Sequence, residues 1–242
     1  MKNSANPFKV FEQTDKDSAA AEEGEYLNQF LLENKKRPVL LMLSGGSSLA
    51  ALEYIGPTAL GENLTISVLD ERFSQDPEIN NFHQVQKTDF YTLAFKAEAS
   101  FFGTLPRNED TMESLAKRWE ANLRAWRQEN PNGLIAATLG MGADGHANGM
   151  LPYPEDEKEF NRLFKTENWI TYYNAGAKNK FPERLTTNVT FMKNVDLGFA
   201  LVCGAEKKPA FERLIKKQGQ VHELPALAWH EIKEVKIFTD IN

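Results

Sequence analysis

The residues Gly140-Met141-Gly142-Ala143-Asp144-Gly145-His146 set a carboxylate and an imidazole two positions apart on backbone interrupted by three glycines. Glycine permits tight bends, so Asp144 and His146 can present both side chains to one small ligand. The same residues also read as a plain turn, with Asp144 capping a following helix and His146 sitting in the wall. Two other polar stretches share the setting. Ser44-Gly45-Gly46-Ser47 directly follows the apolar run Val39 to Leu43, and Asp70-Glu71-Arg72 directly follows Leu64 to Leu69, as Gly140 follows Leu134 to Leu139. Short apolar, partly β-branched runs of this kind read as buried strands. In an open α/β sheet, ligands bind in the crevice beyond the carboxyl ends of the strands.

The Ser44 to Ser47 turn suits an anion. Its glycines let backbone N–H groups crowd together, and a helix expected from about Ser48 to Tyr54 adds partial positive charge at its start. Read alone, the turn is equally a tight strand-to-helix connection with Ser47 or Ser48 as N-cap. It lacks the lysine of a nucleotide P-loop. Arg72 offers a planar, permanently charged fork to a phosphate, and Asp70 or Glu71 can hold that fork or a sugar hydroxyl. Without its position at a strand end, the triplet Asp70-Glu71-Arg72 reads as a solvated loop. His83 reads as a surface histidine.

The elements that must position these residues follow from periodicity. Phe8 to Phe11 reads as a first edge strand. A helix follows from Ser18 to about Glu33, with Tyr26, Leu27, Phe30 and Leu31 on its core face and Asp15, Asp17 or Ser18 as cap. Lys35, Lys36 and Arg37 are expected to close it. Another helix is expected from about Asn80 to Tyr91. In Thr111 to Arg127, Met112, Leu115, Trp119, Leu123 and Trp126 step by three or four residues, which makes a core stripe. Pro154 to Lys158 reads as a surface loop. Trp169 to Tyr173, Leu185 to Met192, Leu197 to Val202 and Val235 to Phe238 read as strands, and Pro209 to Lys217 as a helix.

At 242 residues the chain suits one α/β domain with a sizeable core. Its 41% hydrophobic and 26% charged residues are ordinary for a globular protein. A formal charge of −6 gives no general attraction to nucleic acid or anionic membrane, so an anionic substrate needs a local cationic pocket. The single cysteine, Cys203, excludes an intramolecular disulfide or a cysteine metal cluster. The opening Met1 to Pro7 has no apolar stretch of signal-peptide length, and no later run nears the ~20 residues of a membrane span. A cytoplasmic location is therefore expected.

Taken together, Ser44-Gly45-Gly46-Ser47, Asp70-Glu71-Arg72-Phe73, and Gly140-x-Gly-x-Asp144-Gly145-His146 ending at Leu151-Pro152 resemble the 6-phosphogluconolactonase family, within a wider group that also holds glucosamine-6-phosphate deaminase. The match is collinear from about Pro38 to Pro152, with a fainter echo beyond. Ile79-Asn80-Asn81-Phe82-His83 resembles the family's Ser-Asn-(Phe/Tyr) segment, with Asn80 in place of serine. Phe181-Pro182-Glu183-Arg184-Leu185-Thr186 resembles its Pro-x-Arg-Val-Thr segment, Gly204-Ala205-Glu206-Lys207 its Gly-x-x-Lys, and Leu224-Pro225-Ala226 its Pro-Ala step.

The resemblance implies a Rossmann-like open, mainly parallel sheet flanked by helices, as one domain over residues 1–242. It implies hydrolysis of 6-phospho-D-glucono-1,5-lactone to 6-phospho-D-gluconate, the second step of the oxidative pentose phosphate pathway. The partner is then a small-molecule phosphosugar lactone. No cofactor, metal, nucleic acid or membrane is expected, and the protein is expected to be a monomer or small homo-oligomer. His146 would activate water, since an imidazole is suited to take a proton near neutrality. Asp144 would orient His146 or a substrate hydroxyl, and backbone donors at Gly45, Gly46 or Gly142 to Gly145 would face the oxyanion. Arg72 and Lys207, with Arg184 and the Ser44 to Ser47 turn, would hold the 6-phosphate, and Asp70 and Gly145 complete the expected binding set. Arg184 reads otherwise as a surface ion pair with Glu183 or another acid.

Two alternatives remain at this level. Deaminases of the same group usually carry Tyr where Arg72 stands and Glu-Pro where Leu151-Pro152 stands, so this chain lacks the acid that deamination would use. A sugar-phosphate-binding module with no catalysis is the other. Asn148-Gly149-Met150 and Ser48-Leu49 depart from the lactonase pattern, which bears on loop packing and substrate fit.

Overall fold

Val39–Leu43 and Leu64–Val68 are buried at every position, which requires cover on both faces of each strand, and both lie inside a seven-stranded parallel sheet. The computed structural model describes residues 6–241, so the reading of Met1 to Ala5 falls outside the described residues. In chain order the strands are β1 (Phe8–Glu12), β2 (Val39–Leu43), β3 (Leu64–Val68), β4 (Asp70–Arg72), β5 (Ser100–Phe101), β6 (Leu134–Gly140), β7 (Ile170–Asn174), β8 (Glu183–Thr187), β9 (Leu197–Leu201) and β10 (Glu234–Thr239). The large sheet runs β1-β10-β9-β6-β2-β3-β5, and β4-β8-β7 form a small antiparallel sheet. The α/β class, mainly parallel, is as expected. The helices are α1 (Lys16–Glu33), α2 (Asn81–Gln86), α3 (Asp89–Lys96), α4 (Met112–Glu129), α5 (Glu157–Phe164), α6 (Val189–Met192) and α7 (Lys208–Ile215). None of them is long and apolar enough to cross a membrane.

The sheet order explains why three separate polar stretches meet. β6, β2 and β3 are adjacent and parallel, with Val39 paired to Leu134 on one side and to Leu64 on the other. Their carboxyl ends therefore lie at one edge, where Ser44, Leu69 and Gly140 stand side by side. Helix α4 backs this region. Its stripe Leu115, Trp119, Leu123 and Trp126 is buried as expected, and the Trp119 indole donates to Ser67 Oγ of β3 at 3.1 Å.

Several elements differ from the sequence reading, each for a local reason. The strand expected to reach Leu69 leaves the large sheet there: Leu69 N–H donates to Leu43, but its carbonyl accepts from Thr187 of β8. Asp70–Arg72 is consequently a strand of the second sheet, not a solvated loop. The helix expected at Ser48 is a 3-10 helix, Gly46–Tyr54, and its cap position, Gly45, makes no side-chain capping bond. The helix expected to run to Tyr91 breaks into α2 and α3, because the Thr88 hydroxyl accepts from Tyr91 N–H and starts a new helix. Leu185 to Met192 is strand only to Thr187; there Asn188 caps Thr190 and Phe191 N–H groups and opens α6. Asp156 caps Glu159 in the same way and turns an expected loop into α5. Asp15 is the cap of α1, but Asn34 ends it, so Lys35 to Arg37 lie beyond the helix.

Glu71 locks this arrangement. It is fully buried on β4, and its Oε1 accepts from Arg72 and Asn81 N–H at 2.8 and 2.6 Å. Its Oε2 accepts from Phe82 N–H at 3.0 Å and the Thr104 hydroxyl at 2.7 Å. Burial pushes the carboxyl pKa up to about 7, while those four donors pull the other way. Because both oxygens face donors, the NH₂ of an amide cannot replace either one. Glu71→Gln is expected to destabilise the protein by about 1–3 kcal/mol in denaturant unfolding, although it preserves size and removes a buried charge.

Candidate active site

No helix follows β6. The chain instead makes a tight loop closed by bridges between Met141 and Ala147 and between Ala147 and Met150. Asp144 therefore caps nothing; its Oδ1 accepts from His146 N–H at 3.1 Å and lies 2.6 Å from His146 Nδ1. That side-chain bond to His146 is the main cause holding the Asp144 carboxyl below its ordinary pKa, so it is an ionised acceptor near neutrality. An acceptor at Nδ1 places the proton on Nδ1 and leaves Nε2 as the basic nitrogen. Gly142 makes the arrangement possible: a Cβ there would sit 2.2 Å from the imidazole Nδ1 and Cε1. Gly145 has φ +79 and packs under Leu224, whose Cδ1 would be 2.0 Å from an added Cβ.

His146 lines a cavity of about 210 Å³ at the carboxyl edge of the sheet. The Ser44 to Ser47 turn forms one wall, and its leading N–H groups have no acceptor within the helix they start. Asp70, Arg72 and Arg184 come from the small sheet, and Lys207 from a 3-10 turn, Ala205–Lys207, just before α7. Nine of the eleven expected site residues thus face one space. The other two stand behind it. Asp144 is reached through His146, and Gly145 supports the loop through its carbonyl, which accepts from Ala226 N–H at 3.0 Å. The expected oxyanion donors narrow as well. Gly142 N–H is engaged by the His146 carbonyl and Gly145 N–H by the Gly142 carbonyl, while Ala143 and Asp144 stand outside the lining, which leaves Gly45 and Gly46 as the expected donors that line the cavity. His83 is absent from the lining and stands 3.5 Å from Glu78.

The lining also includes Asn81 and Asn148, which the sequence reading did not assign to the site. Asn81 lay in a segment already singled out by resemblance, and Asn148 in a departure from it. Neither carries a spacing signal of its own.

The cavity is cationic within an anionic chain. Arg72, Arg184 and Lys207 face it against one carboxylate, Asp70. Arg184 is only 6% exposed, and its guanidinium donates to Asp70 Oδ2 at 2.9 Å. It is an ion pair with an acid, as the alternative reading allowed, but a buried one in the cavity wall. Arg72 and Arg184 are direct partners across the β4–β8 ladder, a pairing of like charges that costs stability without a counter-charge. Arg72 also lies over the Phe181 ring, 4.9 Å from its centroid. The Nε atoms of both arginines are buried without a partner. Such a site is built for an anion with several oxygens. Among the described residues, no cluster of His, Cys, Asp and Glu could hold a metal ion. Removing one member of a buried ion pair strands the other charge, so Asp70→Ala is expected to cost about 3–5 kcal/mol in thermal or denaturant unfolding. An Asp70→Ala protein as stable as the wild type would show that Arg184 does not depend on this partner.

Residues 14–237 match the family model described as glucosamine-6-phosphate isomerases/6-phosphogluconolactonase. Among solved structures, a 6-phosphogluconolactonase from Trypanosoma cruzi superposes with a TM-score of 0.75 at 14% identity, covering 99% of this chain and 97% of that one. One from Plasmodium vivax gives 0.74 at 13% identity, covering 98% and 92%. A monomeric glucosamine-6-phosphate deaminase gives 0.68 at 19% identity, covering 96% of each. At these identities the superpositions speak for the shared fold. No curated protein sequence gave a match.

Proposed function

Since the chain belongs to the glucosamine-6-phosphate isomerase/6-phosphogluconolactonase family, we propose that it hydrolyses 6-phospho-D-glucono-1,5-lactone to 6-phospho-D-gluconate, in the oxidative pentose phosphate pathway of the cytoplasm. The observation that carries this reading is the meeting of the His146–Asp144 pair with three cations around one cavity. A δ-lactone is already reactive, so the enzyme must supply a base for water, donors for the oxyanion and a grip on the phosphate. His146 Nε2 takes the proton of the attacking water while the Asp144 carboxylate stabilises the imidazolium, which then gives that proton to the lactone ring oxygen as its bond to the carbonyl carbon breaks. N–H groups at Gly45 and Gly46 face the carbonyl oxygen as it gains charge. Arg72, Lys207 and Arg184 bind the 6-phosphate, with Arg184 held in place by Asp70.

The same geometry disfavours deamination, which needs a carboxyl group free to move protons on an open-chain sugar. The carboxylate in the lining, Asp70, is committed to Arg184.

The test is acid release from freshly generated lactone, followed for the wild type, His146→Ala and buffer side by side. The wild type is expected to exceed buffer clearly, and His146→Ala to lose about 10²–10⁴-fold in kcat. A wild type indistinguishable from buffer rejects the lactonase, and ammonia release from glucosamine 6-phosphate is then the assay to run. Full activity in His146→Ala keeps the reaction and rejects the base. Arg72→Ala is expected to raise KM by roughly 10-fold or more with a smaller change in kcat, since a phosphate contact remote from the carbonyl acts on ground and transition state alike. Steady-state kinetics of that variant separates the two parameters.

A further inference from the structure

The cations of the cavity account for a phosphate but not for the hydroxyl groups of a sugar ring, which need acceptors. Asp70 Oδ2 already accepts from Arg184 at 2.9 Å and from the Asn81 amide at 3.2 Å. Asn81 and Asn148 both line the cavity with a buried amide oxygen that has no partner among the described residues. The Asn81 amide is tied to Asp70 through its Nδ2, whereas the Asn148 amide is hydrogen-bonded to no charged group. Asn148 stands two residues beyond His146 and is only 2% exposed. Its Nδ2 is turned to Met192 Sδ at 2.9 Å, a weak acceptor, and its Oδ1 is buried with no partner. A buried carbonyl oxygen without a donor is a loss that a ligand hydroxyl can recover.

The backbone around Asn148 is held on several sides. Its carbonyl accepts from the Thr186 hydroxyl, the Gly149 carbonyl accepts from the Tyr173 hydroxyl at 2.6 Å, and Ala147 bridges to both Met141 and Met150. Its φ of +53 is one that asparagine tolerates and glycine adopts freely. Backbone conformation alone therefore does not explain a buried amide at this position, because a glycine would serve as well.

We propose that Asn148 is a specificity-determining residue, whose amide oxygen accepts a hydrogen bond from one free hydroxyl of the lactone ring. The inference rests on the lactonase reading and adds to it a reader for the sugar, separate from the phosphate grip and the base. A site that pairs a buried acceptor with a substrate hydroxyl discriminates against the analogue that lacks it.

The experiment compares kcat/KM for the parent lactone 6-phosphate with that for its 2-deoxy, 3-deoxy and 4-deoxy analogues, in the wild type, Asn148→Gly and Asn148→Asp. The wild type is expected to lose roughly 10–100-fold on one analogue. Asn148→Gly keeps the left-handed backbone but has no acceptor; it is expected to lose a similar factor on the parent and nothing further on that analogue. Asn148→Asp retains an oxygen and is expected to retain the discrimination. An unchanged parent-to-analogue ratio in Asn148→Gly makes the residue merely structural and overturns the proposal. So does a wild type that treats all three analogues like the parent, whatever the variants do. Absence of wild-type turnover on every lactone overturns the lactonase reading instead, and this inference with it.

Discussion

Arg72 and Arg184 face each other across two antiparallel strands, and the structure around the cavity is organised to make that tolerable. Two guanidiniums in register repel, and the pairing persists because Asp70 neutralises one of them and the Phe181 ring covers the other. Asp70 is held in turn by Asn81, which opens α2, and Asn81 by Glu71 through its N–H. Buried polar groups of this kind depend on one another, so the small sheet, the start of α2 and the end of β3 are positioned as one unit.

The consequence for function is preorganisation. The chain carries a formal −6, yet the cavity presents three cations and one committed carboxylate. An anion entering it meets an Arg184 already desolvated and fixed by Asp70, so that group needs little reorganisation at the moment of binding. His146, the proposed base, stands on the loop after β6, where the Gly142 and Gly145 N–H groups are engaged in closing the loop itself. With Ser44 N–H bonded to the Thr138 hydroxyl, the proposed oxyanion donors are those of Gly45 and Gly46, at the start of the 3-10 helix.

Buried charge has a second use here. Glu71 never reaches the cavity, although the sequence offers it as an alternative to Asp70. It satisfies four donors that would otherwise be stranded where β4 meets α2. Neighbouring acids in one triplet thus have opposite tasks. The alternation of a strand sends Asp70 and Arg72 to the cavity side and Glu71 away from it.

Local spacing was enough for six of the seven strands of the large sheet, the stripe of α4, the glycine-bounded loops and the candidate dyad. An apolar run buried on both faces, a tryptophan every seventh position, or an acid two residues before a histidine needs no distant partner to be recognised. Family resemblance then assigned Arg184 and Lys207 to the site, which spacing alone did not. The rest depended on the fold. The switch of Leu69 from one sheet to the other, the pairing of Arg184 with Asp70 at a separation of 114 residues, and the unpartnered oxygen of Asn148 are contacts between remote segments. The helix starts at Thr88 and Asn188 escape the sequence for a related reason. A threonine or asparagine caps a helix only when packing leaves its side chain free to bend back on the chain, and local sequence does not record that.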